Sequence, residues 1–158
     1  MSARTKRILV CGGRDFTDRA AVYRDLDTLA EVSADYPLGR TFLVVIHGDC
    51  PTGADRFAAD WAADRWADVM PFPADWSDLS HSDAVIRRRA DGSLYDAKAG
   101  PRRNQRMINE GQPCLVLAYP RANGKFGPGT SDMIRRATKA RIPRQLYTSG
   151  QGHFDLAA

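Results

Sequence analysis

Two stretches of the chain, TFLVVIHG (41–48) and PCLVLAYP (113–120), are almost unbroken in apolar residues over the length of one strand. An alternating pattern would suit a strand with one wet face. A continuous one suits a strand covered on both faces, the condition of a parallel sheet between helix layers. Three shorter runs, RILVCG (7–12), VMPFPA (69–74) and RQLYT (144–148), also read as strands. Helical spacing fills the intervals. Val22, Leu26, Leu29 and Ser33 follow a Thr17/Asp18 start, and Ala54, Phe57, Ala58, Trp61 and Ala62 follow Thr52, with Asp55 completing a capping box. Residues 102–110 form a shorter helix, and Met133, Ile134, Ala137 and Ala140 mark the last. Alternation of this kind implies right-handed crossovers, hence an α/β fold of three layers with a mostly parallel sheet of about five strands.

At 158 residues the chain suits one domain, expected over 1–150, with a C-terminal tail at 151–158. Hydrophobic content of 43% and charged content of 27% are globular values. The net charge of +4 suits an anionic small ligand and is modest for a nucleic-acid binder. Cys11, Cys50 and Cys114 form no CxxC pair, and their odd number points to thiols in a reducing cytosol rather than a disulfide framework. No apolar run is long enough to span a bilayer, and MSARTKR lacks the apolar stretch of a signal peptide, so a cytoplasmic protein without membrane contact is expected. Only 75–99 shows no clear element, and a connection of that length is usually functional or mobile.

In open parallel sheets, ligands sit beyond the carboxyl ends of the strands, where helix N-termini converge. Glycine and charge gather at that end four times here: Gly12-Gly13-Arg14-Asp15-Phe16 after the first strand, His47-Gly48-Asp49 with Pro51-Thr52-Gly53-Ala54-Asp55 after the second, Gly100-Pro101-Arg102-Arg103-Asn104 before the third helix, and Gly124-Lys125-Phe126-Gly127-Pro128-Gly129-Thr130 before the last. Each has a plainer reading. Glycine relieves strain at a tight turn, and Thr52 and Thr130 suit helix caps. None is a dinucleotide GxGxxG or a P-loop. Together they suit phosphate, because glycine admits an anion to backbone N–H groups, threonine adds a hydroxyl and arginine a bidentate fork.

GGRDFTD, HGDCPTGADRFAADWA, FPADW, AGPRRNQRMI and GPGTSDMIRRA follow one another as in the YspA/cpYpsA-related family of the SLOG superfamily, which the chain resembles over residues 6–148. The resemblance implies a Rossmann-like fold and a site for a nucleotide or nucleotide-derived ligand. The implied site residues are Gly12, Gly13 and Arg14 in the first loop; Gly48, Gly53, Ala54 and Asp55 in the second; and Arg103, Asn104, Gly129 and Thr130 beyond them. Relatives in the superfamily include phosphoribohydrolases and the DNA-processing protein DprA, and they commonly self-associate, so a homo-oligomer is expected.

The phosphoribohydrolases carry a glutamate three residues after the Gly-Thr pair, and Met133 stands at that position here. Asp132 is one residue off, about 100° around a helix. The remaining acid candidates are Asp15 and Asp49, with Asp55 reading more as a turn or cap residue. His47, His81 and His153 show no metal-ligand spacing, so neither a metal nor another resident cofactor is expected. Arg87, Arg88 and Arg89 read as a mobile basic loop, and Trp76 as a residue placed to stack on a base. These features favour a nucleotide-binding sensor or processing domain. The alternatives are a nucleotide N-glycosidase or phosphoribohydrolase-like hydrolase, and DprA-like binding of single-stranded DNA, which the sparse interleaving of aromatic and basic residues disfavours.

Overall fold

The structure, a computed structural model, describes residues 5–31, 43–148 and 154–157. Ser33, His153, positions 41–42 and the first four residues lie outside the described residues. The elements run β1 (Lys6–Gly12), α1 (Arg19–Glu31), β2 (Leu43–His47), α2 (Ala54–Asp64), β3 (Asp68–Pro71), β4 (Ile86–Arg88), β5 (Leu94–Asp96), α3 (Ala99–Asn109), β6 (Leu115–Tyr119), α4 (Pro128–Lys139), β7 (Arg144–Tyr147) and β8 (Phe154–Ala157). The main sheet has the order β3-β2-β1-β6-β7-β8. Its first five strands are parallel, as the unbroken apolar runs require. The sixth, β8, pairs antiparallel with β7 and lies in the segment read from sequence as a tail.

Each central strand feeds two cores. Ile8 and Val10 of β1 pack with Val22, Leu26, Ala58 and Trp61 on the α1–α2 side. Leu9, one residue out of phase, packs with Ile46, Met107, Val116, Met133 and Ala137 on the α3–α4 side. Side chains of successive strand residues point to opposite faces, so one strand serves both layers. Strand order reverses between β1 and β6, and the carboxyl ends of these two strands flank the topological switch point.

Four local expectations change. Thr52 does not cap α2: the N-cap is Gly53, with no side-chain cap bond. Nor does Thr130 cap α4, whose N-cap is Gly127, leaving Thr130 inside the helix. Helix α3 starts at Ala99 rather than 102, because proline in a first turn lacks only an N–H that the helix does not use. Segment 75–99 is not without regular structure. Strands β4 and β5 form an antiparallel hairpin, so Arg87 and Arg88 lie on a strand rather than on an unstructured loop. Its strands of three mostly exposed residues carry too little hydrophobic pattern to be read from sequence.

Candidate functional site

A cleft of about 720 Å³ opens at the switch point, over the carboxyl ends of the strands. Of the residues expected there, Gly13, Arg14, Asp15, Arg103, Asn104, Gly129 and Thr130 line it. Gly12, Gly48, Asp49, Gly53, Ala54 and Asp55 do not, and most of these are occupied in building its β1–α2 shoulder. A Cβ on Gly12 would stand 2.7 Å from that of Ala54, and one on Gly48 would fall on the Arg103 guanidinium. Gly53 has φ 75°, and a Cβ there would fall on the Gly13 carbonyl and within 2.7 Å of Arg14 Cα. Gly13 lines the cleft, yet it too is required by packing, since its Cβ would lie 2.8 Å from the Pro120 carbonyl oxygen.

At the N-terminus of α2 the first amide and the Asp55 carboxylate are engaged within the protein. Ala54 N donates to the Gly13 carbonyl at 3.4 Å. Buried Asp55 accepts from Gly48 N at 2.9 Å and Cys50 N at 3.5 Å. Burial raises the Asp55 carboxyl, against the opposing pull of Arg103 and His47. Burial likewise lowers His47 and raises Cys50, so the cleft-lining Cys50 stays a thiol. Asp49 is exposed and outside the cleft, with φ 56°.

Arg103 is also engaged. Its Nη1 donates to the carbonyls of Gly48 and Phe72, and its Nε donates to Asn104 Oδ1 at 3.1 Å. Asn104 passes the connection on, donating to the Gly129 carbonyl at 3.1 Å and to Asp132 at 3.0 Å. The Arg-Asn pair therefore ties the ends of β2 and β3 to the first turn of α4. Only Nη2 of Arg103 keeps a free edge among the described residues.

The α4 corner is different. Gly129 and Thr130 precede the first helical bond, from Ser131 N to the Gly127 carbonyl at 2.9 Å, so their amides sit at the positive end of the helix. No acidic residue occupies that first turn. Thr130 is only 6% exposed, lines the cleft, and its hydroxyl has no partner among the described residues. Arg121 lies over Gly127, its Nε 2.5 Å from where a Cβ would stand, and like Arg14 it has no side-chain partner among the described residues. Nothing stands within 4 Å of a Cβ on Gly129.

Two carboxylates line the cleft, Asp15 and Asp132. The sequence reading passed over Asp132 because its helical phase differs from that of Met133. The phase does separate them: Met133 is 1% exposed in the α3–α4 core, while Asp132 reaches the cleft. Desolvation would raise Asp132, but hydrogen bonds from Arg136, Asn104 and Arg135 outweigh it and hold the carboxyl below its ordinary range. Asp15 is exposed and has no side-chain partner among the described residues. Arg121 and Tyr95 were also missed. Arg121 follows β6 with no motif around it, and Tyr95 sits on the hairpin that sequence did not reveal. Trp76 does line the cleft.

The fold is that of a Rossmann-like α/β domain, and the cleft lies at the strand ends and helix N-termini, where open parallel sheets take their ligands. Residues 6–78 match the profile of the YspA, cpYpsA-related SLOG family. Two solved structures share the fold. The Moco carrier protein from Chlamydomonas reinhardtii aligns with a TM-score of 0.53 at 19% identity, over 90% of this chain and 76% of its own. A second structure, of the molybdenum cofactor carrier protein MCP from the same organism, gives 0.51 at 17% identity, with the same two coverages. No curated protein matches the chain.

Proposed function

We propose that the cleft binds a nucleotide or nucleotide-derived phosphorylated small molecule, with the phosphate at the first turn of α4. One observation carries this reading: a Thr130 hydroxyl open to the cleft and without a partner among the described residues, beside two helix-end amides and Arg121, which has no side-chain partner among them either. A hydroxyl and two amides open to a cleft are donors ready for an anion, and a cation at a positive helix end is unfavourable unless an anion lies between them. A phosphate oxygen cluster meets all three needs at once. Binding without turnover is the preferred form, because the position of the phosphoribohydrolase glutamate is taken by Met133, which faces the core. The neighbours named as cofactor carriers accord with a binding role. A hydrolytic form would have to use Asp15, the cleft carboxylate left without a side-chain partner among the described residues.

The test is calorimetric titration with nucleoside monophosphates, supported by ligand-dependent thermal shift. Arg121→Ala is expected to weaken binding by roughly ten-fold or more, the scale of one charge-assisted contact, with the melting temperature of the free protein unchanged. Unaltered affinity in that variant removes the phosphate from the α4 corner. Base release that is lost in Asp15→Asn replaces the binding role with hydrolysis.

A further inference from the structure

Apart from its polar corner the cleft has a wall of another kind. Trp76 and Tyr95 line it, with ring centroids 6.3 Å apart and planes at 66°, so the two rings form a corner rather than a closed stack. The far edge of the Trp76 ring lies against the first turn of α3, where only a glycine leaves room: a Cβ on Gly100 would stand 2.8 Å from Cη2. One side of the Tyr95 ring is covered by the Arg89 guanidinium, 4.6 Å from its centroid. The indole remains part-exposed, and its N–H has no partner among the described residues.

The wall is also fixed in place. Asp96 N donates to the Trp76 carbonyl at 2.9 Å, and Ala97 N to the Val85 carbonyl at 2.8 Å. The fully buried Asp96 carboxylate accepts from Val85 N and Lys98 N, each at 2.9 Å, and pairs with Arg102. Arg102 in turn holds Asp83 at 2.8 Å. A hairpin that merely covered the cleft would need no such anchoring. Aromatic rings held in advance lose little freedom when a planar ligand arrives.

We propose that Trp76 and Tyr95 form a subsite for a planar heteroaromatic ring, so that the ligand is a nucleoside phosphate bound through its base as well as its phosphate. The ring stacks on the open part of the Trp76 face with its edge toward Tyr95, and the 75–99 segment sets ligand class. This rests on the phosphate reading above, and the two are separable by experiment. Sugar phosphate engages only the α4 corner, whereas a nucleotide engages both.

The probes are AMP, UMP and ribose 5-phosphate, titrated into the full-length protein and its Trp76→Leu and Tyr95→Leu variants. At least one nucleotide is expected to bind the parent about ten-fold or more tighter than ribose 5-phosphate, the scale of one base stacked on an aromatic ring. Trp76→Leu should erase that preference and leave ribose 5-phosphate affinity unchanged, and Tyr95→Leu should reduce it. In a Trp66→Phe background, which removes the 84% exposed tryptophan, AMP should quench the remaining indole fluorescence and ribose 5-phosphate should not. Equal affinities for all three probes, or no quenching by either nucleotide, overturns the ring subsite while the phosphate corner stands. A parent protein that binds none of the probes overturns both.

Discussion

Gly53 and Gly129 open α2 and α4 at the same edge of the same sheet, within motifs of similar appearance, and they do opposite things. At Gly53 the backbone needs positive φ, and protein atoms fill the space where a side chain would stand. At Gly129 that space is empty for 4 Å, and φ makes no demand. The polar groups follow the same division. On the β1–α2 shoulder Ala54 N and the Asp55 carboxylate are used up by the loops that precede them. At the α4 corner the Thr130 hydroxyl and the Arg121 side chain have no partner among the described residues. Glycine in a helix costs roughly 1 kcal/mol relative to alanine, so a glycine that packing does not require calls for another cause. The α2 motif builds the cleft wall, and the α4 motif faces what enters.

The largest effect that separates the two is on stability. Gly53→Ala combines left-handed backbone strain with a collision against the Gly13 carbonyl and Arg14 Cα, both backbone atoms unable to swing aside. A loss of about 3 kcal/mol or more is expected, from the sum of a strained dihedral and an overpacked contact. The midpoint of urea unfolding measures it. A Gly53→Ala protein as stable as its parent would mean that the α2 turn is not built by packing, and the contrast with α4 would fail.

The sheet was legible because its information is local. Five apolar runs fell on five parallel strands, and the charged ends of those runs fell at the cleft. What sequence does not carry is how much of a motif's polarity is already spent. Arg103 sits where the GPxRN motif puts it, but its use on the Gly48 and Phe72 carbonyls depends on three elements meeting. Asp55 has the spacing of a capping box and instead serves amides that precede its helix. Tyr95 was hidden for another reason: a hairpin of three-residue strands is held by one buried carboxylate, Asp96, and not by a hydrophobic stripe.

The second test comes from the α4 side. Gly129→Ala removes a flexible residue from a helix and meets no atom, so the free protein should gain up to about 1 kcal/mol. The same methyl group stands where the phosphate is proposed to lie and should weaken nucleotide monophosphate binding about ten-fold. Opposite signs on stability and affinity are the diagnostic result, read by melting temperature and calorimetry on one sample. A variant that gains stability and keeps full affinity would show that the open space at Gly129 is solvent only.

The smallest effect concerns how a buried carboxylate is satisfied beneath the cleft floor. Tyr119, whose carbonyl accepts Gly13 N at 3.2 Å, donates its hydroxyl to Asp25 at 2.8 Å. Asp25 thus has one neutral donor, with the Arg24 Nε farther off at 3.8 Å, where Asp96 has two amides and an arginine in hydrogen-bond contact. Burial lifts the Asp25 carboxyl from the ordinary 3.8 to about 6, although Tyr119 and Arg24 pull the other way. Asp96 moves in the opposite direction, to about 2, because its amide and Arg102 hydrogen bonds outweigh desolvation. A group whose folded pKa is raised contributes stability below its unfolded pKa and loses it as pH rises through the folded value. Stability should therefore fall between about pH 4 and pH 6 on account of Asp25, and between about pH 4 and pH 2 on account of Asp96. Asp25→Asn keeps an acceptor for Tyr119 and removes the ionisation. It should flatten the slope from pH 4 to 6 while leaving the acid limb intact. Two new amide hydrogens then need partners in a confined site, so the net change at pH 7 should stay within about 1 kcal/mol. Urea unfolding midpoints at half-unit pH steps measure this. An unchanged slope between pH 4 and 6 would mean that Asp25 is already ionised there, held by Arg24 rather than governed by burial.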